Sequence, residues 1–194
     1  MKPVIIISVL LINASLAHAD LNQDCTQFWT EIRHANDQFE EHKNLKSGEK
    51  LLALLPSEKV HPPADCAKKP ETLEALYRDH AFRNKLMNSG KDLGFKLTLR
   101  MMHSADGAFS EDLAFELANS LQTHATQFLK AWKDEKNDSY CPKEIMRAVG
   151  TSADLSDKQR KAIFAKRAAG IRKVKDESLS GLKADCLKAL QSNH

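Results

Sequence analysis

The apolar residues between Asp92 and His103 follow two patterns at once. With a period of two, a single strand face would carry Leu93, Phe95, Leu97, Leu99 and Met101. With the helical period, Leu93, Leu97 and Met101 fall on one side, while Phe95, Leu99 and Met102 fall on the opposite side. No other stretch offers a strand to pair with this one, and an unpaired strand leaves backbone groups unsatisfied. The pattern therefore predicts a central helix that is buried on two sides.

Amphipathic segments precede this helix. Cys25 to His42 is predicted to be helical, with one face formed by Phe28, Trp29, Ile32, Ala35 and Phe39. Ser47-Gly48 interrupts the pattern, and Ser47 is predicted to cap a short helix that runs through Leu55. Pro70 suits the first turn of a further helix that ends near Met87.

Four more helices are predicted after the centre. Ser110 is the expected N-cap of a helix whose apolar face extends to Trp132, although weak helix formers from Thr123 to Thr126 leave open whether it is one helix or two. A polar loop is expected from 134 to 140. The later helices are predicted at 142–149, from Ser156 to about residue 175, and from Ser178 or Ser180 onward.

The count of about seven or eight helices without a convincing strand indicates an all-α fold. Short helices joined by Gly and Pro turns favour a compact array of stacked antiparallel hairpins. This pattern is similar to HEAT-like helical hairpins, although no repeat period is evident. The alternative arrangement is a closed helical bundle.

The first 19 residues have the form of a secretory signal. Lys2 precedes an apolar run from Val4 to Leu16, and Ala17-His18-Ala19 provides a small-residue cleavage site. The run is shorter than the ~20 apolar residues that a membrane-spanning helix needs. We therefore expect residues 1–19 to be removed, residues 20–194 to form a single helical domain, and the protein to be periplasmic or extracellular without a transmembrane segment.

Four cysteines lie in the exported part, where disulfides persist. Of the three possible connectivities, we favour Cys25 with Cys66 and Cys141 with Cys186, because each pair then brackets one end of the chain and leaves the centre free. No CxxC or Cys/His cluster is present, so the spacing favours structural disulfides over a metal site, and no cofactor is expected.

Motifs for catalysis are absent. The chain contains no HExxH, GxSxG, EF-hand loop or phosphate-binding glycine loop. A weak catalytic alternative is His103 as base or ligand, with Asp106 or Glu111 as its partner. The same residues are typical of an ordinary turn followed by a helix start, and that interpretation is favoured.

Charge is unevenly distributed, although the net value of +3 selects neither nucleic acid nor membrane as a partner. From 157 to 175 a single acid, Asp157, stands among Lys158, Arg160, Lys161, Lys166, Arg167, Arg172, Lys173 and Lys175. The favoured interpretation of this segment is a solvated face with intramolecular ion pairs, and the alternative is a surface for an acidic partner, for which Lys166, Arg167, Arg172 and Lys173 are the candidate binding residues. Arg160 and Arg167 project from the apolar stripe, so either their charged ends reach water or Arg167 finds a carboxylate.

These observations favour a non-catalytic protein-binding module, with an inhibitor, immunity, adaptor or chaperone-like role. The expected partner is another exported or envelope protein, and the basic segment suits an acidic one; the sequence does not select an oligomeric state. The alternative is a hydrolase that acts on cell-wall or other extracellular polymer, with its acid and base groups brought together only by the fold.

Overall fold

The computed structural model describes residues 25–57, 66, 81–105, 107–136, 140–149 and 155–191. All regular structure in these ranges is helical, which confirms the predicted all-α class. The elements are α1 (25–42), α2 (Leu45–Leu54), α3 (Ala81–Asn88), α4 (Asp92–Ser104), α5 (Gly107–Lys136), α6 (Lys143–Arg147), α7 (Asp157–Arg172), a short 3-10 helix (Glu177–Leu179) and α8 (Ser180–Gln191). The signal segment 1–19, the helix start at Pro70 and Asp106 lie outside the described residues.

The central helix α4 is buried on two sides, as its sequence pattern predicts. Leu97 and Met101 enter an apolar cluster with residues of α1 and α2. Phe95 and Leu99 enter a second cluster on the other side. None of these four side chains is more than 1% exposed, so α4 is the axis between the two halves of the core.

The second cluster holds the C-terminal helices on α5. Its larger members are Leu117, Leu121, Phe128, Leu129, Ile145, Met146, Ile171 and Leu190. Helices α3 and α4, α4 and α5, and α7 and α8 pack as consecutive pairs, while α7 also packs on α5. The successive pairs agree with the predicted array of helical hairpins.

The long helix α5 consists of two helical segments that meet at a kink at His124, within the stretch from Thr123 to Thr126 that the sequence marks as weakly helical. His124 has φ −127° and ψ 33°, which are non-helical angles, and helical structure continues on both sides. The ring Nε2 of His124 lies 2.8 Å from the backbone carbonyl oxygen of Asn88, to which it donates a hydrogen bond. The distortion therefore coincides with a side-chain contact to the end of α3.

Three predicted helix boundaries are wrong. Asn44, not Ser47, caps α2, because the Asn44 side chain accepts a hydrogen bond from the Ser47 backbone N–H at 2.9 Å. Helix α5 begins at Gly107, before the expected cap Ser110, and it continues to Lys136 through part of the expected loop. The extension places Glu135 in a buried ion pair with Arg100 of α4.

Both predicted disulfides are present. Cys25 pairs with Cys66 at a Cα–Cα distance of 5.2 Å, and Cys141 pairs with Cys186 at 4.9 Å. Paired cysteines agree with an oxidising, exported environment. Within the described ranges, no helix has the length and apolar character needed to cross a membrane.

Candidate binding surface

Side-chain hydrogen bonds hold both ends of helix α7. Ser156 and Gln159 form a reciprocal capping box at its N-terminus. At its C-terminus, the ammonium group of Lys183 in α8 donates to the backbone carbonyls of Arg172 at 2.9 Å and Val174 at 2.6 Å. The Lys183 contacts join the C-terminal end of α7 to α8.

The inner face of α7 contains Arg167, one of the four candidate binding residues. Its side chain is fully buried, and its Nη1 donates to the backbone carbonyl of Met146 at 2.9 Å. Nη2 lies 3.4 Å from the side-chain oxygen of Asn119, and burial lowers the pKa of Arg167 to about 10. The guanidinium thus stays charged at neutral pH and binds the end of α6. The sequence predicted that it would reach water or pair with a carboxylate, and neither is found among the described residues.

The outer face of α7 and the turn after it form the basic face. It contains seven exposed cations, Lys158, Arg160, Lys161, Lys166, Arg172, Lys173 and Lys175. None of them forms an ion pair with another residue in the described part of the chain. Intramolecular neutralisation, which is the usual fate of a charged helix face, is therefore not observed among these residues.

Several cations elsewhere in the described ranges have carboxylate partners. Arg83 is buried and pairs with Glu116. The ammonium group of Lys96 lies 2.8 Å from Asp92 and 2.9 Å from Asp134. Hydrogen bonds from Ser178 and from Lys130 hold the pKa of the Asp176 carboxyl below its ordinary value. Exposed cations such as Lys46 and Lys85 also lack an ion pair among the described residues, so the basic face is distinguished by the number of cations on one helix and the turn after it.

A groove of about 250 Å³ runs between α7 and α8 along one edge of the basic face. Its lining residues are Lys161, Phe164, Ala165, Ala168, Arg172, Leu190 and Gln191. Ala168 and Leu190 are buried and Phe164 is half-buried, so the floor is apolar. Lys161 and Arg172 are exposed and stand three helical turns apart on the same side of α7. The groove therefore combines an apolar floor with two cations.

Of the four candidate binding residues, only Arg172 lines the groove. Lys166 and Lys173 are exposed but are not among its lining residues. Lys161 and Phe164 were missed as groove residues. The eleven-residue separation of Lys161 and Arg172 is a helical repeat that places both on one stripe, and this signal was present in the sequence. The α8 wall at Leu190 required knowledge of the tertiary packing.

The weak catalytic candidates do not share a site in the described structure. His103 is exposed, and its Nδ1 lies 3.2 Å from the Lys136 ammonium nitrogen. Glu111 lines a different groove, of about 230 Å³, between α5 and α6. Asp106 lies outside the described residues. The described ranges also contain no group of three or more His, Cys, Asp or Glu residues placed to hold a metal ion.

Comparison with protein-family models, curated proteins and solved structures gives no significant match. The surface formed by α7 and α8 is therefore the basis for a functional proposal.

Proposed function

We propose that the protein is an exported, non-catalytic module that binds an acidic segment of another exported or envelope protein. The α7–α8 groove, together with the basic face, is the proposed binding site. The observation that carries the proposal is the exposure of seven cations without described carboxylate partners beside a recess with an apolar floor. The two disulfides support a location in an oxidising compartment.

The two chemical features of the site have different roles in binding. Like charges along one helix repel each other, and an acidic partner relieves that repulsion while its approach is accelerated by the positive field. Charge at an exposed rim adds little affinity by itself, since solvent and salt screen it. Phe164 is half-buried, and its exposed part becomes desolvated when the groove is occupied.

The experiment is affinity capture from an envelope extract with the tagged protein and the Lys161→Glu/Arg172→Glu variant. The matched control is Lys46→Glu/Lys85→Glu, which makes the same charge change at exposed residues of α2 and α3. We expect the groove variant to retain about a tenth or less of the captured partner, because two exposed attractions become repulsions. The control variant should capture the partner normally.

Equal capture by the wild-type protein and the groove variant would contradict the proposal. Equal loss in both variants would also contradict it, since net charge alone would then explain capture. No described contact favours the hydrolase alternative over this function.

A further inference from the structure

The walls of the α7–α8 groove indicate the shape of its occupant. We infer that the groove binds an amphipathic α-helix, with an apolar stripe on the groove floor and carboxylates beside Lys161 and Arg172. This inference rests on the proposed function and specifies the class of partner segment. A helix with an acidic flank complements the charge of Lys161 and Arg172. The form of the groove also supports the inference.

The backbone chemistry of the groove favours a helical occupant over an extended one. The groove is lined mainly by α7 (Asp157–Arg172), whose central backbone groups are already hydrogen-bonded internally, and by Leu190 and Gln191 at the end of α8 (Ser180–Gln191). They offer no strand edge along which an extended peptide could add main-chain hydrogen bonds. A segment that covers the apolar floor must satisfy its own backbone groups, and a helix does this without help from the groove.

The side chains of the groove suit close packing of a third helix. Ala165 is exposed and Ala168 is buried, so two of the residues with which α7 lines the groove are small. Small residues at a contact allow helix axes to approach toward the lower end of the ~8–10 Å range. A helix seated there would extend the existing α7–α8 pair into a three-helix layer.

The spacing of the cations sets the positions of the partner's acids. Lys161 and Arg172 are separated by roughly 16 Å along the axis of α7, since a helix rises ~1.5 Å per residue. A partner helix that runs alongside α7 covers this distance in about 11 residues. Carboxylates at positions i and i+11 of that helix would lie on one face, beside both cations.

A membrane surface fits this face less well than a helix. A helix that inserts into lipid needs apolar side chains that protrude from its exposed face. Here Ala168 and Leu190 are only 5% and 7% exposed, and they form the floor of a recess below Lys161 and Arg172. The apolar area that these two residues expose is thus small, whereas a helix that inserts into lipid presents a broad apolar face.

The test is an NMR titration of the isotope-labelled chain with two synthetic peptides of about 15 residues, long enough for a marginal helix. One arranges Leu and Glu with helical periodicity, and the other has the same composition in an order that destroys the amphipathic stripe. Vesicles containing anionic phospholipid form the third arm. The Lys161→Glu/Arg172→Glu and Lys46→Glu/Lys85→Glu variants are titrated in parallel.

The expected result is a set of amide shifts confined to residues 161–172 and 187–191, with a gain of peptide helicity by circular dichroism. The scrambled peptide and the groove variant should bind at least about tenfold more weakly. Equal binding of both peptides, stronger binding to vesicles, or no shift in the groove would each overturn the helix inference. The proposed function fails separately, when capture of the extract partner does not depend on Lys161 and Arg172.

Discussion

Gly170 of α7 packs directly on the backbone carbonyl of Leu121 in α5. A methyl group added to Gly170 would place its carbon 1.9 Å from the Leu121 oxygen, far inside van der Waals contact. The two helices can therefore cross at this separation only because residue 170 has no side chain. This crossing fixes α7 on the core and so positions the basic face.

Substitution of Gly170 by Ala should destabilise the protein by about 3 kcal/mol, because the overlap is with backbone and the helices must separate. The control is Gly181→Ala, at an exposed position of α8 where an added methyl group meets no atom within 4 Å. That change should be neutral, or stabilising by up to about 1 kcal/mol through helix propensity. Urea unfolding of both variants measures the difference, and equal midpoints would contradict the proposed crossing.

The fold class was predictable because the apolar pattern is strong. Residues of α4 alternate between two opposite faces, and both faces are buried as predicted. The caps were less predictable, because Asn44 and Ser47 are both suitable N-cap residues and only the backbone path selects Asn44. The start of α5 at Gly107 was missed because Ser110 has the stronger local signal.

Arg167 is expected to support folding and not partner binding. Arg167→Ala should lower the free energy of unfolding by about 3 kcal/mol, since it removes buried packing and leaves the Met146 carbonyl without this donor. Arg167→Met retains most of the stem volume and removes the cost of a buried charge, so its stability should lie within about 1 kcal/mol of wild type. Capture of the partner by Arg167→Met should be normal. A folded Arg167→Met protein that loses capture would contradict the structural role.

The ion pair between Arg100 and Glu135 links three helices. Arg100 binds both carboxylate oxygens of Glu135, and its Nη1 also donates to the backbone carbonyl of Leu52 in α2. Glu135→Ala should destabilise the protein by about 3 kcal/mol, because it leaves a largely buried guanidinium without its counter-charge. Glu111→Ala, at an exposed site of the same helix, should change stability by no more than about 0.5 kcal/mol. Thermal unfolding measures the stability of both variants. Equal destabilisation by Glu135→Ala and Glu111→Ala would contradict a special role for the Arg100–Glu135 pair.

The binding surface shows a different limit of sequence analysis. Residues 157–175 predicted a basic helix, but charge alone did not indicate which cations face solvent. Arg167 lies inside because Ala168, Gly170 and Ile171 turn that side of α7 toward α5. The groove itself is formed with Leu190, which is 26 residues beyond Phe164 in the sequence. Such a contact follows from tertiary packing and not from local pattern.

Reduction of the disulfides should loosen the ends of the chain before its centre. Each bridge closes a loop of more than 40 residues. By constraining the unfolded chain, it contributes about 4 kcal/mol to the free energy of unfolding. The α4–α5 pair contains no cysteine and is held by apolar packing. Hydrogen exchange under reducing conditions should accelerate first in α1 and α8. Earlier opening of α4 and α5 would contradict the assignment of α4 as the axis of the core.

The central claim is that the α7–α8 groove contacts a partner protein in the cell. A photo-crosslinking amino acid at position 165, in the groove, tests this directly, with position 53 of α2 as the matched exposed alanine control. We predict one discrete protein adduct from position 165, lost when Lys161→Glu/Arg172→Glu is added, and no such adduct from position 53. The absence of an adduct at 165, or the same adduct from both positions, would contradict the claim.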